Sequence, residues 1–422
     1  MGCSSERMIF TKLNTDGFIL FGSRILRMFA YGFLSVVLVL YLSKLGLNEF
    51  VIGFLISATL IGDAAISFWM TTNADRIGRR RILVAGAGLM LLASALFAGT
   101  DKVALLLVAA TVGVISPSGY EVGPFLSVEQ AALSEIVSDE TRTEVFGWYN
   151  LGGSFATAAG ALTGGGLTQV LQRFGVIPLN SYRTVVVLYG LIGIVMGLLF
   201  TRLSAAVEAA HLSSPQIRSR FGLHRSTGVV LKLSALFGLD AFAGGFVLQS
   251  IVAYWFHVRF GVEPAVLGGI FFGANILAGI SALSAAWVAK RIGLVNTMVF
   301  THLPSNVLLM LVPLMPNLRL AVLVLLARFS ISQMDVPPRQ SYTMAVVTPD
   351  ERSNAGGITG IARSIGAAIS PAFIGTFLGN PALLGAPFFV AGGLKVIYDV
   401  LLYRSFRAVT GPEYEETSLR AR

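Results

Sequence analysis

The sequence predicts an all-α membrane protein in which twelve transmembrane helices form two pseudo-symmetric six-helix bundles. Three observations lead to this fold. The chain is 55% hydrophobic and only 13% charged, whereas a soluble domain carries about 25% charged residues. Its apolar residues are gathered into twelve long spans, and residues of the second half of the chain repeat those of the first half at constant offsets.

Each span is long enough to be a transmembrane helix, because a hydrocarbon core of about 30 Å takes about 20 residues at about 1.5 Å per residue. The spans, numbered 1 to 12, comprise residues 16–43, 50–74, 82–99, 102–136, 142–171, 182–202, 228–257, 264–289, 293–315, 318–347, 353–378 and 381–406. The longest spans predict helices that tilt or extend beyond the bilayer. Five prolines predict kinks or breaks within spans 4, 10 and 11, namely Pro117, Pro124, Pro337, Pro338 and Pro371.

The distribution of Lys and Arg predicts that both termini are cytosolic. With that orientation the inner ends of the spans carry nineteen Lys and Arg residues and the outer ends carry six, and cytosolic loops are the ones enriched in these residues. The predicted organisation is a cytosolic tail, a first bundle, a cytosolic linker, a second bundle and a second cytosolic tail, at 1–15, 16–202, 203–227, 228–407 and 408–422. The membrane expected is a plasma membrane or a bacterial inner membrane.

The residue types exclude several other functions. The single cysteine, Cys3, cannot form an intramolecular disulfide or a cysteine-based metal cage. The four histidines lack metal-ligand spacing, and neither a Ser-His-Asp set nor a phosphate-binding loop can be assembled. The net charge of +9 is explained by membrane topology rather than by nucleic-acid binding. We therefore expect no enzymatic activity, no metal, no cofactor and no nucleic-acid partner.

The two halves of the chain share a repeat. At an offset of 210 residues the matches are Gln130 with Gln340, Val137 with Val347, Arg142 with Arg352, Gly147 with Gly357 and Ser154 with Ser364. At an offset of 215 residues, Arg76-Ile77-Gly78 matches Arg291-Ile292-Gly293. The repeat predicts that spans 7 to 12 form a copy of the bundle formed by spans 1 to 6.

The loop between spans 2 and 3, TTNADRIGRRR at residues 71–81, concentrates five charges between apolar spans. In it, Asp75 can accept hydrogen bonds from the N-terminal end of a neighbouring helix, and Gly78 permits a tight turn. The loop resembles the pattern G-x-x-x-D-R/K-x-G-R/K-R/K of the major facilitator superfamily, with Asp75, Arg76, Gly78, Arg79 and Arg80 as matches and Thr71 in place of the first glycine. The resemblance covers nearly the whole chain. It implies the fold of that superfamily and transport by rocking of the two halves.

In the superfamily this loop holds the two halves together at the cytosolic face, which implies a cytosolic gate. The gate residues so implied are Asp75, Arg76, Gly78, Arg79, Arg80, Arg142, Arg291, Gly293 and Arg352. Glu129, deep along span 4, is assigned to the same gate. It also stands opposite Arg339 in the repeat, which allows an ion pair between the bundles.

A second resemblance concerns the direction of transport. Proton-exchanging exporters of the superfamily often carry G-x8-G-x3-G-P-x2-G-G in their fifth helix, and span 5 matches four of the six positions, without the proline. The matches are Gly147, Gly160, Gly164 and Gly165, and span 11 carries Gly357, Gly366 and Pro371 at repeated positions. These residues imply close helix packing, and the pattern favours export.

Charged residues inside the spans form stripes on the predicted helices. A charge at the bilayer centre costs roughly 2.5–3.5 kcal/mol, so each should face protein or water. In the superfamily the first, fourth, seventh and tenth helices line the central cavity, which implies substrate binding or proton coupling at Arg24, Arg27, Tyr31, Glu121, Asp240, Asp335 and Arg339. Asp240 and Asp335 are the candidates for binding a proton, with the arginines as charge partners or substrate anchors.

Other polar residues of the spans have weaker patterns. Lys395 and Asp399, four residues apart on span 12, predict a structural ion pair on one helix face. His257 and His302 are candidate proton carriers, although a polar group at a helix end is the favoured interpretation of each. Asp63 in span 2 has no predicted partner.

The leading functional prediction is proton-coupled export of a small organic molecule by alternating access, with the proton as coupling ion. The rival is a proton-coupled importer of a small organic anion, because arginines on spans 1, 10 and 11 outnumber the carboxylates and suit carboxylate or phosphate groups. A third hypothesis is a membrane sensor or scaffold that does not transport. Carriers of this plan generally work as monomers, so we expect a monomer that contacts its substrate and the bilayer.

Overall fold

The computed structural model describes residues 14–137, 139–208, 225–348 and 351–407, with side chains throughout except at 139–144 and 353. Every regular element in these ranges is a helix, so the predicted all-α fold is confirmed. Most of the two predicted tails and of the predicted linker lies outside the described residues.

The α-helices of the described residues follow one another along the chain and are numbered in that order. They are α1 (Thr15–Ser35), α2 (Leu38–Lys44), α3 (Glu49–Ile77), α4 (Arg79–Gly99), α5 (Val103–Val112), α6 (Phe125–Ile136), α7 (Asp139–Arg173), α8 (Pro178–Thr201), α9 (Thr227–Gly245), α10 (Gln249–Phe260), α11 (Pro264–Ile292), α12 (Leu294–Leu311), α13 (Leu318–Phe329), α14 (Val336–Ala345), α15 (Arg352–Ile369), α16 (Ile374–Leu378) and α17 (Ala386–Phe406). Short 3₁₀ turns join some of them.

Nine helical segments within the described residues are long and apolar enough to cross a membrane. They correspond to predicted spans 1, 2, 3, 6, 7, 8, 9, 11 and 12. Predicted spans 4 and 10 are each divided into two short helices, α5 with α6 and α13 with α14. Span 5 is the long helix α7, whose many glycine and polar residues lower its hydropathy. The count of twelve transmembrane helices therefore stays a prediction.

Prolines break the helices where the sequence predicted breaks. Between α5 and α6, residues 113–124 leave the helical path, with Pro117 inside this segment and Pro124 at its end. Pro337 lies in the first turn of α14, just after a non-helical stretch, and Pro371 lies in a 3₁₀ turn between α15 and α16. Spans 1 and 7 also break, between α1 and α2 and between α9 and α10, without a proline.

The chain divides into two compact units. The first comprises Met1–Asn48, Ala58–Ser213 and Gln249–Phe272, and the second comprises Glu49–Ser57, Ser214–Leu248 and Gly273–Arg422. The same pairings recur in each unit: α1 packs on α7 and α4 on α8 in the first, while α9 packs on α15 and α12 on α17 in the second. These are equivalent helices under the repeat, so the packing within each unit has the symmetry that the repeat predicts.

Glycines set the closest approaches between these helices. A Cβ at Gly160 or Gly164 of α7 would overlap a carbonyl oxygen of α1, from Phe29 or Phe33. In the same way Gly165 lies against the carbonyl of Pro264, Gly366 against that of Gly238, and the carbonyl of Pro371 lies against Gly53. The prediction of close packing is wrong for Gly147 and Gly357, because a Cβ at either position would meet no atom within 4 Å.

Candidate functional site

A buried ion cluster lies in the first unit. This Arg27 cluster consists of Arg24 and Arg27 on α1, Glu121 in the segment between α5 and α6, Glu129 on α6 and Tyr149 on α7. Arg27 holds Glu129 with two parallel hydrogen bonds of 2.6 and 2.7 Å from Nη1 and Nη2, and its Nε donates to Glu121 Oε1 at 2.8 Å. The side chains of Arg27 and Glu129 are 0% exposed. This bidentate geometry is the strongest that an arginine makes with a carboxylate.

Helical spacing explains why these charges meet. Arg24 and Arg27 are three residues apart and share one face of α1, and Arg24 Nη1 contacts Glu121 Oε2. The guanidinium of Arg24 also lies 5.0 Å from the centre of the Tyr149 ring. Gly153 of α7 leaves room for it, since a Cβ there would come within 2.8 Å of Arg24 Nε. Two arginines thus face two carboxylates, and pairing offsets the large cost of burying each charge.

The structure places the predicted residues of the first unit in two different settings. Arg24, Arg27 and Glu121 contact one another, while their role in a substrate cavity stays a prediction. Glu129, which the sequence assigned to the gate, joins them in the Arg27 cluster from the second turn of α6. Tyr31 donates instead to the backbone carbonyl of Val122 at 2.9 Å.

Side chains hold the non-helical segment at residues 113–124 in place. Asp63 of α3, for which the sequence indicated no partner, accepts the N–H of Gly123 at 2.6 Å, and Tyr31 binds the carbonyl beside it. Gly123 has a φ of 81°, a conformation that favours glycine. Non-helical backbone at membrane depth must have its polar groups satisfied by protein, and these bonds do so while directing Glu121 towards α1.

A second ion cluster is buried in the second unit and centres on one carboxylate. This Asp240 cluster consists of Asp240 on α9, His302 on α12, Arg339 on α14, Arg363 on α15 and Lys395 on α17, together with two further aspartates. Lys395 Nζ lies 2.5 Å and His302 Nε2 lies 3.8 Å from Asp240 Oδ1. Arg339 Nη1 lies 3.1 Å and Arg363 Nη1 lies 3.6 Å from Asp240 Oδ2. Four helices therefore direct basic groups at one carboxylate of a fifth.

The two further aspartates of the Asp240 cluster balance its charge. Asp335 accepts from Arg339 Nη1 at 3.0 Å. Asp399 on α17 accepts from His302 Nδ1 at 2.8 Å and from Asn306 Nδ2 at 2.9 Å. Three carboxylates thus face Lys395 and two arginines, and His302 lies between Asp240 and Asp399. No group of three His, Cys, Asp or Glu side chains within the described ranges is arranged to hold a metal ion.

The predicted residues of the second unit are in contact with one another. Arg339 contacts both Asp240 and Asp335, while their role in transport stays a prediction. The predicted pair of Lys395 with Asp399 is not what forms: Lys395 reaches Asp240 on α9, and Asp399 binds His302. His302 lies within α12 rather than at its end.

The contacts of Glu129 and Arg339 bear on the prediction of an ion pair between the two bundles. The repeat allowed Glu129 to pair with Arg339; in the structure Glu129 binds Arg27 and Arg339 binds Asp240, each within its own unit. His302, Arg363, Lys395 and Asp399 were not predicted as site residues. A usable signal existed in the sequence, since His302 with Asn306 and Lys395 with Asp399 are two polar pairs at helical spacing on two apolar spans.

The gate loop between α3 and α4 turns at Gly78, whose φ of 109° shows why glycine is needed there. Arg79 Nε donates to Asp75 Oδ1 at 2.8 Å, and its Nη1 lies 3.4 Å from Glu135 Oε1. The carboxylate of Glu208 accepts the N–H groups of Arg79 and Arg80 at 2.7 and 3.3 Å. Asp75 was expected to accept hydrogen bonds from the N-terminal end of a helix. The N-terminus of α4 donates to Glu208 instead, and a negative charge is favourable at that position.

The remaining gate residues lie in simpler surroundings. Gly293 repeats the turn of Gly78 with a φ of 84°, and Arg291 lies over the ring of Trp287 at 3.8 Å. Arg352 Nε donates to the carbonyl of Met344 at 3.1 Å. The exposed side chain of Arg76 follows Asp75 at the end of α3. The side chain of Arg142 lies outside the described residues.

Similarities to known proteins agree with this architecture. The uncharacterized membrane protein YJR124C of Saccharomyces cerevisiae is 29% identical over 421 residues, covering 93% of this chain and 94% of that protein. Three solved structures share the fold at low identity.

The first is a bacterial homologue of the human lysosomal transporter Spinster, with a TM-score of 0.68 and 16% identity over 92% of this chain and 94% of that chain. The nucleoside transporter NupG has a TM-score of 0.70 and 13% identity, covering 94% and 100% of the two chains. A D-xylose-proton symporter has a TM-score of 0.69 and 13% identity, covering 92% and 97%. The family model of the Major Facilitator Superfamily matches residues 20–371. The chain belongs to the Major Facilitator Superfamily and is a multi-pass membrane transporter.

Proposed function

We propose that this protein is a proton-coupled exporter that exchanges a small, neutral or positively charged organic compound for protons. Membership of the superfamily makes it a secondary transporter that works by alternating access. The coupling to protons, the direction and the class of compound are the proposal. The Asp240 cluster is the observation that carries it.

The Asp240 cluster supports proton coupling because it places carboxylates and an imidazole close together inside the second unit. Ionisable residues within transmembrane helices are costly and mark ion or proton pathways. In this cluster three carboxylates and three cations are in balance when His302 is neutral, so uptake of one proton changes the net charge of the buried site. Arg363, whose side chain is 36% exposed, connects Asp240 to the surface of the unit.

The carboxylate partners of the buried arginines favour a neutral or cationic compound as the substrate. Arg24 contacts Glu121, Arg27 binds Glu121 and Glu129, and Arg339 binds Asp240 and Asp335. An organic anion would have to displace a carboxylate of the protein to reach any of these arginines. A neutral or cationic compound meets no such competition, whereas an anion importer would have to use Arg363, whose side chain is 36% exposed and lies 3.6 Å from Asp240.

Export is supported by the glycine pattern of α7. Four of the six positions typical of proton-exchanging exporters are glycine, and three of them, Gly160, Gly164 and Gly165, lie in close helix contacts. We further propose that both termini are cytosolic, in accordance with the distribution of Lys and Arg, and that the protein is a monomer in a plasma or bacterial inner membrane.

The test is proton movement in proteoliposomes that contain the full chain and an interior pH dye. Vesicles with an acidic interior receive pools of lipophilic cations, neutral drugs, carboxylates or phosphate esters from outside. Exchange predicts that a cationic or neutral pool makes the interior more alkaline, because protons leave as the compound enters.

Two variants and one further condition complete the design. Asp240→Asn should abolish the response, whereas Asp101→Asn, the same change at an exposed loop residue, should retain it. If external carboxylates or phosphate esters make a neutral interior acidic, the protein is an anion importer. If no pool moves protons, proton coupling is wrong.

A further inference from the structure

His302 is a buried titratable side chain placed between two carboxylates. Its Nδ1 lies 2.8 Å from Asp399 Oδ1, and its Nε2 lies 3.8 Å from Asp240 Oδ1. The residue is 5% exposed and lies within α12. It therefore connects an aspartate of α17 with one of α9 through the two nitrogens of a single ring.

The partners of the two ring nitrogens define which of them can gain a proton. An ionised carboxylate only accepts hydrogen bonds, so with Asp399 ionised Nδ1 carries the hydrogen in the neutral ring. Asn306 Nδ2 donates to the other oxygen of Asp399 at 2.9 Å and also lies 3.2 Å from His302 Nδ1. Nε2, which faces Asp240, is then the nitrogen that takes up and releases a proton.

Charged and titratable groups approach His302 from each neighbouring helix. From α17 come Lys395, Tyr398 and Asp399, from α9 Asp240, from α14 Arg339 with Asp335 at its cap, and from α15 Arg363. Two arginines of α13 are directed elsewhere: Arg319 is exposed, and Arg328 lies over the ring of Phe329. The groups nearest to the imidazole are the carboxylates of Asp399 and Asp240.

Basic side chains already contact two carboxylates of the cluster. Asp240 has Lys395, Arg339 and Arg363 within 3.6 Å, and Asp335 lies 3.0 Å from Arg339. Nearby positive charge favours the ionised form of a carboxylate, whereas nearby negative charge favours a protonated imidazole. Imidazole is also the side chain that ordinarily changes charge between about pH 5 and 8.

We propose that His302 is the residue that binds the coupled proton, at Nε2, and that Asp240 then pairs with the imidazolium in competition with Lys395. The proposal rests on the proposed function, because it names the proton site of that exchange. Asp399 is a positioning residue that sets the orientation of the ring.

The competition for Asp240 couples proton binding on His302 to the contact between α9 and α17. Lys395 Nζ and His302 Nε2 approach the same oxygen, Asp240 Oδ1, from α17 and α12. A positive charge on His302 repels the ammonium group of Lys395 and competes with it for the carboxylate of Asp240. Proton uptake therefore weakens the link between α9 and α17 within the second unit, and proton release restores it.

The experiment compares wild type, His302→Gln and Asp399→Asn in proteoliposomes, with His257→Gln as control. His257 is half-buried, and its Nδ1 lies 2.8 Å from the carbonyl oxygen of Val262. The control therefore makes the same chemical change outside the Asp240 cluster. Two quantities are measured for a compound that moves protons in wild type: the proton flux, and the exchange of labelled for unlabelled compound without a pH gradient.

In His302→Gln we expect the proton flux to fall at least about tenfold, while labelled exchange persists and loses its dependence on pH. His257→Gln should behave as wild type. Asp399→Asn keeps an acceptor for Nδ1 but removes the charge that stabilises the imidazolium, so the midpoint of the pH profile should move about one pH unit or more to lower pH.

The outcomes separate this inference from the proposed function. If wild type exchanges a compound without moving protons, both are wrong. If wild type moves protons and His302→Gln moves them equally well, only the assignment to His302 is wrong. If His302→Gln does not assemble in the membrane, an unchanged midpoint in Asp399→Asn overturns the assignment, and a midpoint at lower pH supports it.

Discussion

Arg27 and Glu129 carry opposite charges in a place that solvent does not reach, since both side chains are 0% exposed. Ser23 adds a hydrogen bond to Glu129 Oε1 at 2.8 Å. Removing one partner of such a pair leaves a buried charge without compensation. The stability of the first unit therefore depends on this single pair far more than on any exposed ion pair.

This dependence gives a prediction for stability. Glu129→Gln should lower the free energy of unfolding by about 3–5 kcal/mol, measured by thermal unfolding of the purified protein. Glu135→Gln is the matched control, because the Glu135 side chain is 40% exposed and lies 3.4 Å from Arg79; a surface pair contributes only about 0–1 kcal/mol. Equal losses in the two variants would contradict the account.

Single residues also show how far the sequence could locate the site. Arg27, Glu121 and Asp240 were identified because ionised groups are conspicuous in apolar spans. His302 was identified only as a less favoured proton carrier, because its significance comes from Asp399, 97 residues further along the chain. Lys395 was assigned to a neighbour on its own helix, since helical spacing predicts local pairs and carries no information on which helix packs opposite.

At the scale of the helices, α1 and α7 approach until backbone meets backbone. Gly160 and Gly164 lie against carbonyl oxygens of α1, whereas Gly147 on the same helix has free space around its Cβ position. The glycine pattern thus predicted the packing at its centre but not at its first position. The breaks at prolines were also predicted, while those of spans 1 and 7 were not, because no residue there prohibits a helix by itself.

The contrast between two glycines of α7 gives a second prediction. Gly160→Ala should destabilise the protein by about 1–3 kcal/mol, because its methyl group would overlap the carbonyl of Phe29 and force the helices apart. Gly147→Ala should be neutral or stabilising by up to about 1 kcal/mol, since alanine is the better helix former. The midpoints of thermal unfolding decide this, and a stable Gly160→Ala would disprove the assigned packing.

At the scale of the whole molecule, transport by alternating access requires ends of helices that hold together in one state and separate in another. Arg79 is the residue that links most elements in the gate loop, since it contacts Asp75, Glu135 and the carbonyl of Val207. Its N–H also donates to Glu208. These contacts tie α3, α4, α6 and the segment after α8 together at one end of the first unit.

Transport should therefore respond to Arg79 and not to its neighbour. Arg79→Ala is expected to lower transport by about tenfold, equivalent to about 1.4 kcal/mol, measured as initial uptake into proteoliposomes. Arg81→Ala should retain transport, because the exposed Arg81 contacts only the carbonyl of Ile77, at 3.4 Å, among the contacts described. If both variants lose transport equally, the loss comes from removing a positive charge rather than from removing the contacts of Arg79.

The two-part repeat, the family and the all-helical fold could be predicted from the sequence because they rest on patterns that extend along the whole chain. Helices equivalent under the repeat pack in the same pairs, α1 with α7 and α9 with α15. The compound that is transported was not predictable, since recognition depends on the shape of a site rather than on a linear pattern.

Proton exchange itself is tested most directly by the interior pH of proteoliposomes with an acidic lumen. We predict that a neutral or cationic compound added outside makes the lumen more alkaline in vesicles with wild-type protein, and that His302→Gln removes this response while labelled compound still exchanges. A compound that exchanges in wild type without any change of interior pH would contradict the account.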